Sequence, residues 1–556
     1  MLANLNGPLA RELLDLYGLV LGYLAGGETT MIYYNPAGLD CNWNMLWQRN
    51  LTHHPQIVWQ KSYPCPDLYN RFNSDIFVLA CLSPGALGEL QLKNLASSLR
   101  HLMAVSVLME VVDFDREAVA NEYLSICLHS QLLNVELYFR NHNESLILYS
   151  YQAFPHFRLI QKPVVSDLDG NIFVDKMENL QGHRLRVVPD LSPPNTFDYR
   201  DASGKLQVAG YLWDFIETFA TARNASLEMI RPGWRSGAAP ASSFMVDLTR
   251  NGTVDLGLTT VLISKRNSIK VHEYTYPVLF SSWCTMLPVE KPIPKDDLYV
   301  RIICPGAVAI LLVILLLGYL FFVSMKYVKE CSWLSILPGL MALILLTSST
   351  AQLLSLLISP PVHKRIESFD DLLKSGIQIM GIRDEFYDMD GMFRAKYAAA
   401  FHLINDPAEI YELRNHFNSS WAYTIALIKW HVINQQQQHF SRPLFRLSKD
   451  LCFNDYMPTS FVMAPDSVYY ESLKDFTLTA LQAGLMKHWI AKSFYDMVAA
   501  GRMSIRDYSE LVILKPLSMA DLSHTWHIFG AALAVSSGVF LLELTVFYVN
   551  VFLDSI

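Results

Sequence analysis

The sequence predicts a multi-domain membrane protein whose α/β segments lie outside the membrane and are separated along the chain by apolar helices. The chain of 556 residues is 51% hydrophobic and only 17% charged, and its mean hydropathy is +0.20, which is unusual for a soluble protein. Three stretches are apolar over the roughly 20 residues that a membrane-spanning helix needs. Between and before them, short strand-like runs alternate with amphipathic helical patterns, which is typical of α/β domains.

Charge and motif content exclude several classes of function. The net charge is −8, so the chain lacks the basic surface of a nucleic-acid-binding protein, and we expect no nucleic-acid partner. It contains no GxSxG, HExxH, P-loop, GxGxxG or CxxC pattern, so we expect neither an enzyme nor a metal or cofactor site. We interpret His53 and His54 as a solvated pair and the glutamines at 435–438 as a loop.

Three membrane helices predict the topology. Residues 302–324 carry no charge and are followed by two lysines, a positive-inside signal that places the next link in the cytoplasm. Residues 333–358 cross back, and residues 525–552 form the last crossing. The amino-terminal region and residues 360–521 therefore face the outside, and the C-terminus faces the inside.

Two of these helices contain polar residues, which need a protein partner or a water-filled path within a bilayer. The second helix carries hydroxyl side chains at 347–350, for which pore lining and hydrogen bonding between helices are equally good interpretations. Glu543 lies within the third helix, and we expect it to pair with another protein group rather than to conduct ions.

Cysteines and sequons fit an extracellular amino-terminal region. Its disulfides form only in an oxidising compartment, and the spacing leaves their pairing open among Cys41, Cys65, Cys81 and Cys127. Five N-x-S/T sequons are candidate glycosylation sites in the segments placed outside: Asn50, Asn143, Asn224, Asn251 and Asn418. Acidic residues interrupt the first apolar run, unlike a secretory signal. Either this sequence lacks its signal, which is the interpretation that we favour, or the first membrane helix directs insertion.

Each of the two outer segments nearest the membrane helices is predicted to form half of an α/β domain. Strands are predicted at 185–189, 227–230, 254–258, 283–286, 377–380 and 461–464. Amphipathic helices are predicted at 210–220, from Ser368 onward, and at 472–500 with a break near Gly484. Ser368 is expected to cap its helix, because a serine followed by acids suits a first turn.

The order of these elements, and several motifs in it, resemble the ionotropic glutamate receptor superfamily. Within it, the chain is similar to the divergent chemosensory ionotropic receptors of insects, from about residue 180 to the C-terminus. The motifs that carry the resemblance lie at 210–215 (GYLWDF), 255–260 (DLGLTT), 273–277 (EYTYP), 349–357 (STAQLLSLL), 483–489 (AGLMKHW) and 516–522 (PLSMADL).

The resemblance implies a bilobed, periplasmic-binding-protein-like ligand-binding domain that is split by transmembrane helices, above an α-helical membrane domain. Its halves are residues 180–300 and 360–521, and residues 1–179 form a separate extracellular domain. The implied assembly is a homo- or hetero-tetramer with a co-receptor subunit, in the plasma membrane of sensory neurons.

The resemblance also implies site residues. Arg266 is the nearest match to the arginine that grips a ligand carboxylate, although a solvated first-turn arginine is an alternative. Further candidate ligand-binding residues are Thr259, Thr260, Trp421 and Tyr423. Because residues 421–428 contain no acid to hold an ammonium group, we expect a small ligand other than glutamate. The candidate gate residues are Thr347, Ser349, Thr350, Gln352 and Ser355.

The function implied is a ligand-gated cation channel subunit that acts as a taste or odour receptor. Ligand binding closes the two lobes on each other. This closure pulls the linkers at 292–301 and 360–366, and the pull opens the helix bundle. The alternative is a non-conducting tuning or trafficking subunit that uses a partner's pore. Residues 325–332 are too short to hold a re-entrant pore loop, so either that loop is missing from this sequence or the subunit contributes no selectivity filter. The short link favours the non-conducting alternative, whereas the gate-like motif at 349–357 favours the channel.

Overall fold

The structure is a computed structural model in which the chain divides into two compact units. The first comprises Met1–Met286, Gln378–His439 and Leu447–Arg506, and the second comprises Leu287–Ile377, Phe440–Arg446 and Asp507–Ile556. The residues that it describes are 8–24, 29–44, 54–60, 68, 75–102, 105–114, 116–141, 145–164, 172–230, 233–234, 242–263, 273–293, 304–327, 336–359, 361–509, 519 and 523–554.

Helices and strands alternate along the described chain. The helices are α1 (Pro8–Leu24), α2 (Ala86–Ser98), α3 (Glu117–His129), α4 (Tyr211–Ala222), α5 (Ser242–Arg250), α6 (Cys304–Tyr327), α7 (Ile336–Ile358), α8 (Phe369–Ser375), α9 (Arg383–Asp388), α10 (Gly391–Tyr397), α11 (Pro407–Asn415), α12 (Leu427–Gln437), α13 (Tyr470–Gln482), α14 (Leu485–Ala499) and α15 (Ser523–Asp554). The strands are β1 (Thr30–Tyr34), β2 (Gln56–Trp59), β3 (Ile76–Leu82), β4 (Ser106–Phe114), β5 (Val135–Asn141), β6 (Ile147–Gln152), β7 (Arg158–Pro163), β8 (Arg184–Pro189), β9 (Phe197–Arg200), β10 (Leu206–Ala209), β11 (Ser226–Met229), β12 (Leu256–Leu262), β13 (Leu279–Pro288), β14 (Ile379–Ile382), β15 (Phe401–Ile404), β16 (Ala422–Ala426) and β17 (Phe445–Met463).

The amino-terminal part of the first unit is built on a sheet with the strand order β2-β1-β3-β4-β5-β6-β7. Strands β1 to β5 pair in parallel, whereas β6 and β7 add to the edge in antiparallel fashion. Strand β3 is buried along its whole length. A central parallel strand is covered on both faces of the sheet, and this burial favours the continuous apolar run found here. Helix α1 packs against one face, and α2 and α3 pack against the other.

One disulfide lies in this part of the chain. Cys41, in the segment after β1, is bonded to Cys81 on β3. Cys127 is a buried thiol whose pKa is raised by burial to about 12, so it is chemically inert at neutral pH. Cys65 lies outside the described residues.

Gly88 on α2 offers a test of the packing of this part. A Cβ atom there would lie 1.9 Å from the carbonyl oxygen of Ser83 and 2.0 Å from the hydroxyl oxygen of Tyr123. We expect Gly88→Ala to lower the free energy of unfolding by about 1–3 kcal/mol, the usual cost of overpacking. Thermal unfolding of the purified full-length protein measures it. Gly18→Ala is the matched helical control, because nothing lies within 4 Å of its Cβ position, and an unchanged melting temperature for Gly88→Ala would contradict the packing described.

The second sheet of this unit has the strand order β11-β8-β12-β17-β13-β16-β14-β15. Strands β8, β11 and β12 pair in parallel, and together with α4, α5 and α13 they form a group that we call lobe one. Strands β14, β15 and β16 also pair in parallel, and with α9 to α12 they form lobe two. The chain leaves lobe one along β13 and returns along β17, so these two strands join the lobes.

The joining strands β13 and β17 are held together by side chains as well as by their backbones. Cys284 on β13 is disulfide-bonded to Cys452 on β17. Four residues from each of these cysteines, the rings of Phe280 on β13 and Tyr456 on β17 stack with centroids 4.8 Å apart and planes inclined by 7°. We call this pair of strands the ribbon. The connection between the lobes is therefore a covalently closed pair of strands.

In the second unit, the segment that follows β13 and the segment that follows α7 are paired. The amide of Ile293 donates to the carbonyl of Pro361 at 2.9 Å, and the amide of His363 donates to the carbonyl of Lys291 at 3.2 Å. The first segment precedes α6 along the chain. The linker that precedes α6 and the linker that follows α7 are thus hydrogen-bonded to each other.

A side-chain clasp reinforces this pairing. The guanidinium of Arg446 donates from Nε to Glu290 at 2.9 Å and from Nη2 to the same carboxylate at 2.5 Å. Nη2 also donates to the carbonyl of Ile366 at 2.9 Å. Both charged side chains are about 15% exposed, so the ion pair is largely shielded from water.

Among the described residues, one helix is long and apolar enough to cross a membrane, at Phe529–Leu553 in α15, with a mean hydropathy of 1.9. A shorter apolar stretch, Leu343–Leu356, lies in α7. Helices α6, α7 and α15 occupy the positions of the three predicted spans. The three-crossing topology itself stays a prediction.

The interpretation of residues 435–438 as a loop is wrong. Most of this run continues α12, and Gln436 and Gln437 are buried. The side-chain amide of Gln436 donates to the carbonyl of Ser504 at 2.6 Å. Buried glutamine is tolerated where its amide finds such a partner, a contact that a low-complexity run does not reveal.

Candidate functional site

The loop after β8 presents a fixed surface at the edge of lobe one. Asp190 is almost wholly buried and accepts hydrogen bonds from the Thr196 hydroxyl at 2.6 Å, the Asn195 side-chain amide at 2.8 Å and the Ser192 backbone amide at 3.0 Å. Burial raises the pKa of Asp190, and these hydrogen bonds act in the opposite direction. Hydrogen bonds to the buried Asp190 carboxylate therefore fix the conformation of this loop.

The same loop is anchored to the start of α4 through Gly210. This residue has φ 116° and ψ 159°, a region that only glycine adopts readily. The conformation lets the amide of Leu212 donate to the carbonyl of Asn195 at 3.1 Å, and the amide of Tyr211 to the carbonyl of Pro194 at 3.3 Å. The GYLWDF motif therefore shapes the loop as well as starting the helix.

Lobe two faces this loop with helices α11 and α12. Helix α11 begins at the N-cap Asp406, whose side chain accepts from the amide of Ala408, with proline at the first helical position. Tyr411 and Arg414 are three residues apart and therefore lie on one face of the helix. Lys429 projects from the first turn of α12.

Lys429 connects the two lobes. Its ammonium group donates to the Ser192 hydroxyl of lobe one at 3.2 Å and to the Tyr411 hydroxyl of lobe two at 3.0 Å. It also lies 4.9 Å from the centroid of the Tyr411 ring. The charge of Lys429 lowers the pKa of Tyr411, as expected for a phenol beside a cation.

A cavity of about 270 Å³ lies between the lobes at this contact. This volume is near the lower end of small-molecule sites, which span about 300–1,000 Å³. Its wall combines cationic and apolar side chains. The lining residues are Pro193, Pro194, Ala408, Tyr411, Arg414, Asn415, Lys429, Val432, Ile433, Met497, Arg502 and Met503.

The two arginines of the wall differ in their partners. Arg502 donates to the backbone carbonyl of Asp198 at 2.7 Å and to its carboxylate at 2.6 Å. Arg414 is 5% exposed, and its guanidinium lies 5.0 Å from the centroid of the Tyr411 ring. Within the described part of the chain, its Nε has no hydrogen-bond partner. Burial lowers the pKa of Arg414.

The predicted ligand-binding residues lie elsewhere in the described structure. Thr259 and Thr260 are on β12, and the Thr260 hydroxyl accepts from the Asn195 side chain at 3.2 Å, so it supports the loop from behind. Tyr423 on β16 is fully buried and donates to the carbonyl of Asn418 at 2.9 Å. Trp421 is half-buried, with its ring 4.8 Å from that of His402.

The threonine pair and the aromatic pair are not brought together. Strands β17 and β13 separate β12 from β16 in the sheet, which places the two pairs on the order of 14 Å apart. None of the four lines the cavity described above, and their ligand-binding role stays a prediction. Arg266 lies outside the described residues.

The candidate gate residues lie on α7, and Thr347, Thr350, Gln352 and Ser355 are exposed. The hydroxyl of Thr347 donates to the carbonyl of Leu343 at 2.9 Å, as a threonine in a helix interior commonly does. The side chain of Ser349 is not among those described. Of the predicted glycosylation sites, Asn224 and Asn251 are exposed, Asn418 is half-buried, and Asn50 and Asn143 lie outside the described residues.

Sequence reasoning missed the five polar residues that line the cavity, which are Tyr411, Arg414, Asn415, Lys429 and Arg502. The Asp-Pro start of α11 and the spacing of Tyr411 and Arg414 predict a helix with both side chains on one face. Nothing in the sequence indicates which element that face meets, because the opposing loop lies more than two hundred residues away along the chain.

No protein-family model matches the chain, and no curated protein matches it. Among solved structures, the chain is similar to the AvGluR1 ligand-binding domain in its complexes with glutamate, alanine and serine, with TM-scores of 0.34, 0.33 and 0.34. Each match has 12% sequence identity and covers 57% of this chain and 97% of the other. At this identity, the three amino acids are ligands of those domains and do not identify a ligand here.

Proposed function

We propose that this protein is a subunit of a ligand-gated cation channel that acts as a chemosensory receptor, with its ligand between lobe one and lobe two. The observation that carries the proposal is the cavity between the lobes, whose opposite walls come from the β8 loop and from helices α11 and α12. A ligand held by both walls favours the closed arrangement of the lobes, since it binds that arrangement better than an open one.

The linkers connect this closure mechanically to the apolar helices. Strand β13 continues directly into the segment that pairs with the segment after α7, and the Arg446–Glu290 clasp ties β17 to both. A displacement of β13 and β17 is therefore delivered to α6 and α7 together. The proposed gate is the polar part of α7, with Thr347, Ser349, Thr350, Gln352 and Ser355.

The wider proposal follows the sequence expectations. The ligand is a small molecule other than glutamate, and the protein is not an enzyme. The subunit joins a homo- or hetero-tetramer with a co-receptor in the plasma membrane of sensory neurons, with three crossings and an extracellular amino terminus.

Recording from cells that express the full chain, alone and with a candidate co-subunit, tests this proposal. Acids, amines, sugars and salts are applied in turn, and surface delivery is checked by labelling. We expect a ligand-evoked cation current that requires this chain. Currents that are the same with and without this chain at the surface would reject a receptor role.

The second candidate function is a non-conducting subunit that binds ligand and borrows a partner's pore. It is favoured by the short connection between α6, which ends at Tyr327, and α7, which begins at Ile336. Ion selectivity distinguishes the two. A contributing pore changes the permeability ratios of the heteromer when this chain is added, whereas a tuning subunit changes only the ligand response.

A further inference from the structure

The strongest unexplained feature of the cavity is the charge of Arg414. An arginine stays protonated in proteins, and a buried cation without an acidic partner is costly. Glu385 attracts Arg414 through space, but no described carboxylate forms an ion pair with it. Among the residues that the structure describes, this cation therefore has no directly bound counter-ion.

The other acids around the cavity are already engaged. Asp190 is saturated by its own loop, and the charge of Lys429 acts on it. Asp198 is bonded to Arg502. The described lining of the cavity thus contains three cationic side chains, the Tyr411 hydroxyl and the Asn415 amide, and no carboxylate.

Lys429 contributes an ammonium group to the lining of the cavity. It lies between Ser192 and Tyr411, beside the Asp190 loop. A ligand with an amino group would meet this lysine as a like charge, and none of the described lining residues is an acid. Apart from Asn415, the remaining wall is apolar and consists of Ala408, Val432, Ile433, Met497, Met503 and the two prolines.

We propose that the cavity binds a small organic carboxylate without an amino group, and that the Arg414 guanidinium pairs with its carboxylate while the apolar wall holds its hydrocarbon part. The planar guanidinium suits a carboxylate because it can donate two parallel hydrogen bonds. This inference rests on the proposed function in one respect, that the interlobe cavity is the ligand site.

Binding to the purified full-length protein in detergent tests the inference. The probes are propanoate, pentanoate and benzoate, compared with pentanamide, pentylamine and 2-aminopentanoate, and the readouts are titration calorimetry and melting temperature. We expect saturable binding of at least one carboxylate and none of the amide or the amine. If no carboxylate binds, or if pentylamine or 2-aminopentanoate binds more tightly than pentanoate, the inference is wrong.

Variants of Arg414 separate a ligand-pairing role from a structural one. Arg414→Met is expected to weaken carboxylate binding roughly 10- to 100-fold, the range for a lost charge-assisted hydrogen bond. Its melting temperature without ligand should be unchanged or higher, because an apolar side chain replaces an unpaired buried cation. Arg414→Lys keeps the charge without the fork, so an intermediate loss of affinity is expected.

The matched control is Arg383→Met, in lobe two but outside the cavity, where the guanidinium is exposed and donates to the Asn405 side chain at 2.7 Å. Equal affinities for Arg414→Met and Arg383→Met would overturn the inference, as would a lower melting temperature of Arg414→Met without ligand. Current recordings distinguish failure of the carboxylate inference from failure of the receptor proposal. Carboxylate binding through Arg414 without any evoked current rejects only the channel, whereas amine-evoked currents indifferent to Arg414→Met reject only the carboxylate.

Discussion

Gly210→Ala is expected to lower the free energy of unfolding by about 3 kcal/mol and to remove ligand binding at the cavity. Gly210 has φ 116° and ψ 159°, a conformation that is strained for any residue with a Cβ atom. The added atom would also lie 2.4 Å from the carbonyl oxygen of Asn195 and 2.8 Å from that of Pro194. The β8 loop must shift to relieve this collision, and Pro194 lines the cavity.

The matched control for this substitution is Gly204→Ala. Gly204 also has a positive φ, of 80°, but nothing lies within 4 Å of its Cβ position. Its alanine variant therefore bears conformational strain alone, of roughly 1 kcal/mol. Thermal unfolding and carboxylate titration of both full-length variants measure the difference. Equal melting temperatures and affinities for the two would show that the contact between Gly210 and the loop is unimportant.

If the proposed function is correct, Arg446→Gln is expected to uncouple ligand binding from opening of the proposed channel. The substitution removes the three hydrogen bonds from the guanidinium to Glu290 and the one to Ile366, so the clasp on the two linkers opens. The cavity residues are untouched, and ligand affinity should stay within about threefold of the unaltered protein. Loss of a coupling energy of about 1–3 kcal/mol changes the gating equilibrium roughly 5- to 150-fold, measured as maximal evoked current per surface-labelled receptor.

Lys364→Gln is the control for this variant. Lys364 lies in the same linker, 3.5 Å from Asp371, but its side chain is 83% exposed, and exposed ion pairs contribute little. Its currents should match those of the unaltered protein. A normal current from Arg446→Gln, at normal surface density, would mean that the clasp carries none of the coupling.

Local signals in the sequence predicted much of the secondary structure near the site. The helix predicted at 210–220 is α4, and the one predicted from Ser368 is α8, where Ser368 accepts from the amide of Asp371 as a capping residue does. The helix predicted at 472–500 is interrupted at Gly484, which has φ 73°. These features depend on neighbouring residues, so the sequence carries them directly.

The cavity could not be predicted in the same way. Its composition depends on α11, α12 and the β8 loop meeting across the two lobes, and a resemblance in other motifs directed attention to β12 and β16 instead. Arg414 looks like an ordinary cation in the last turn of a helix, a position favoured by the helix dipole. Only its burial, and the lack of a described partner for its Nε, make it unusual.

Disulfide pairing was open for a similar reason. The sequence offered four amino-terminal cysteines, and Cys41–Cys81 is one of several combinations that their spacing allows. Cys284 precedes the apolar helices α6 and α7 in the sequence and Cys452 follows them, and their pairing follows from the adjacency of β13 and β17.

The Cys284–Cys452 bond limits how the two lobes can move. Strands that are covalently joined cannot slide along each other, so a shear motion between β13 and β17 is excluded while the bond is intact. What remains is bending of the ribbon as one body. Any movement that passes along the ribbon is therefore a change in its bend rather than a sliding of one strand past the other.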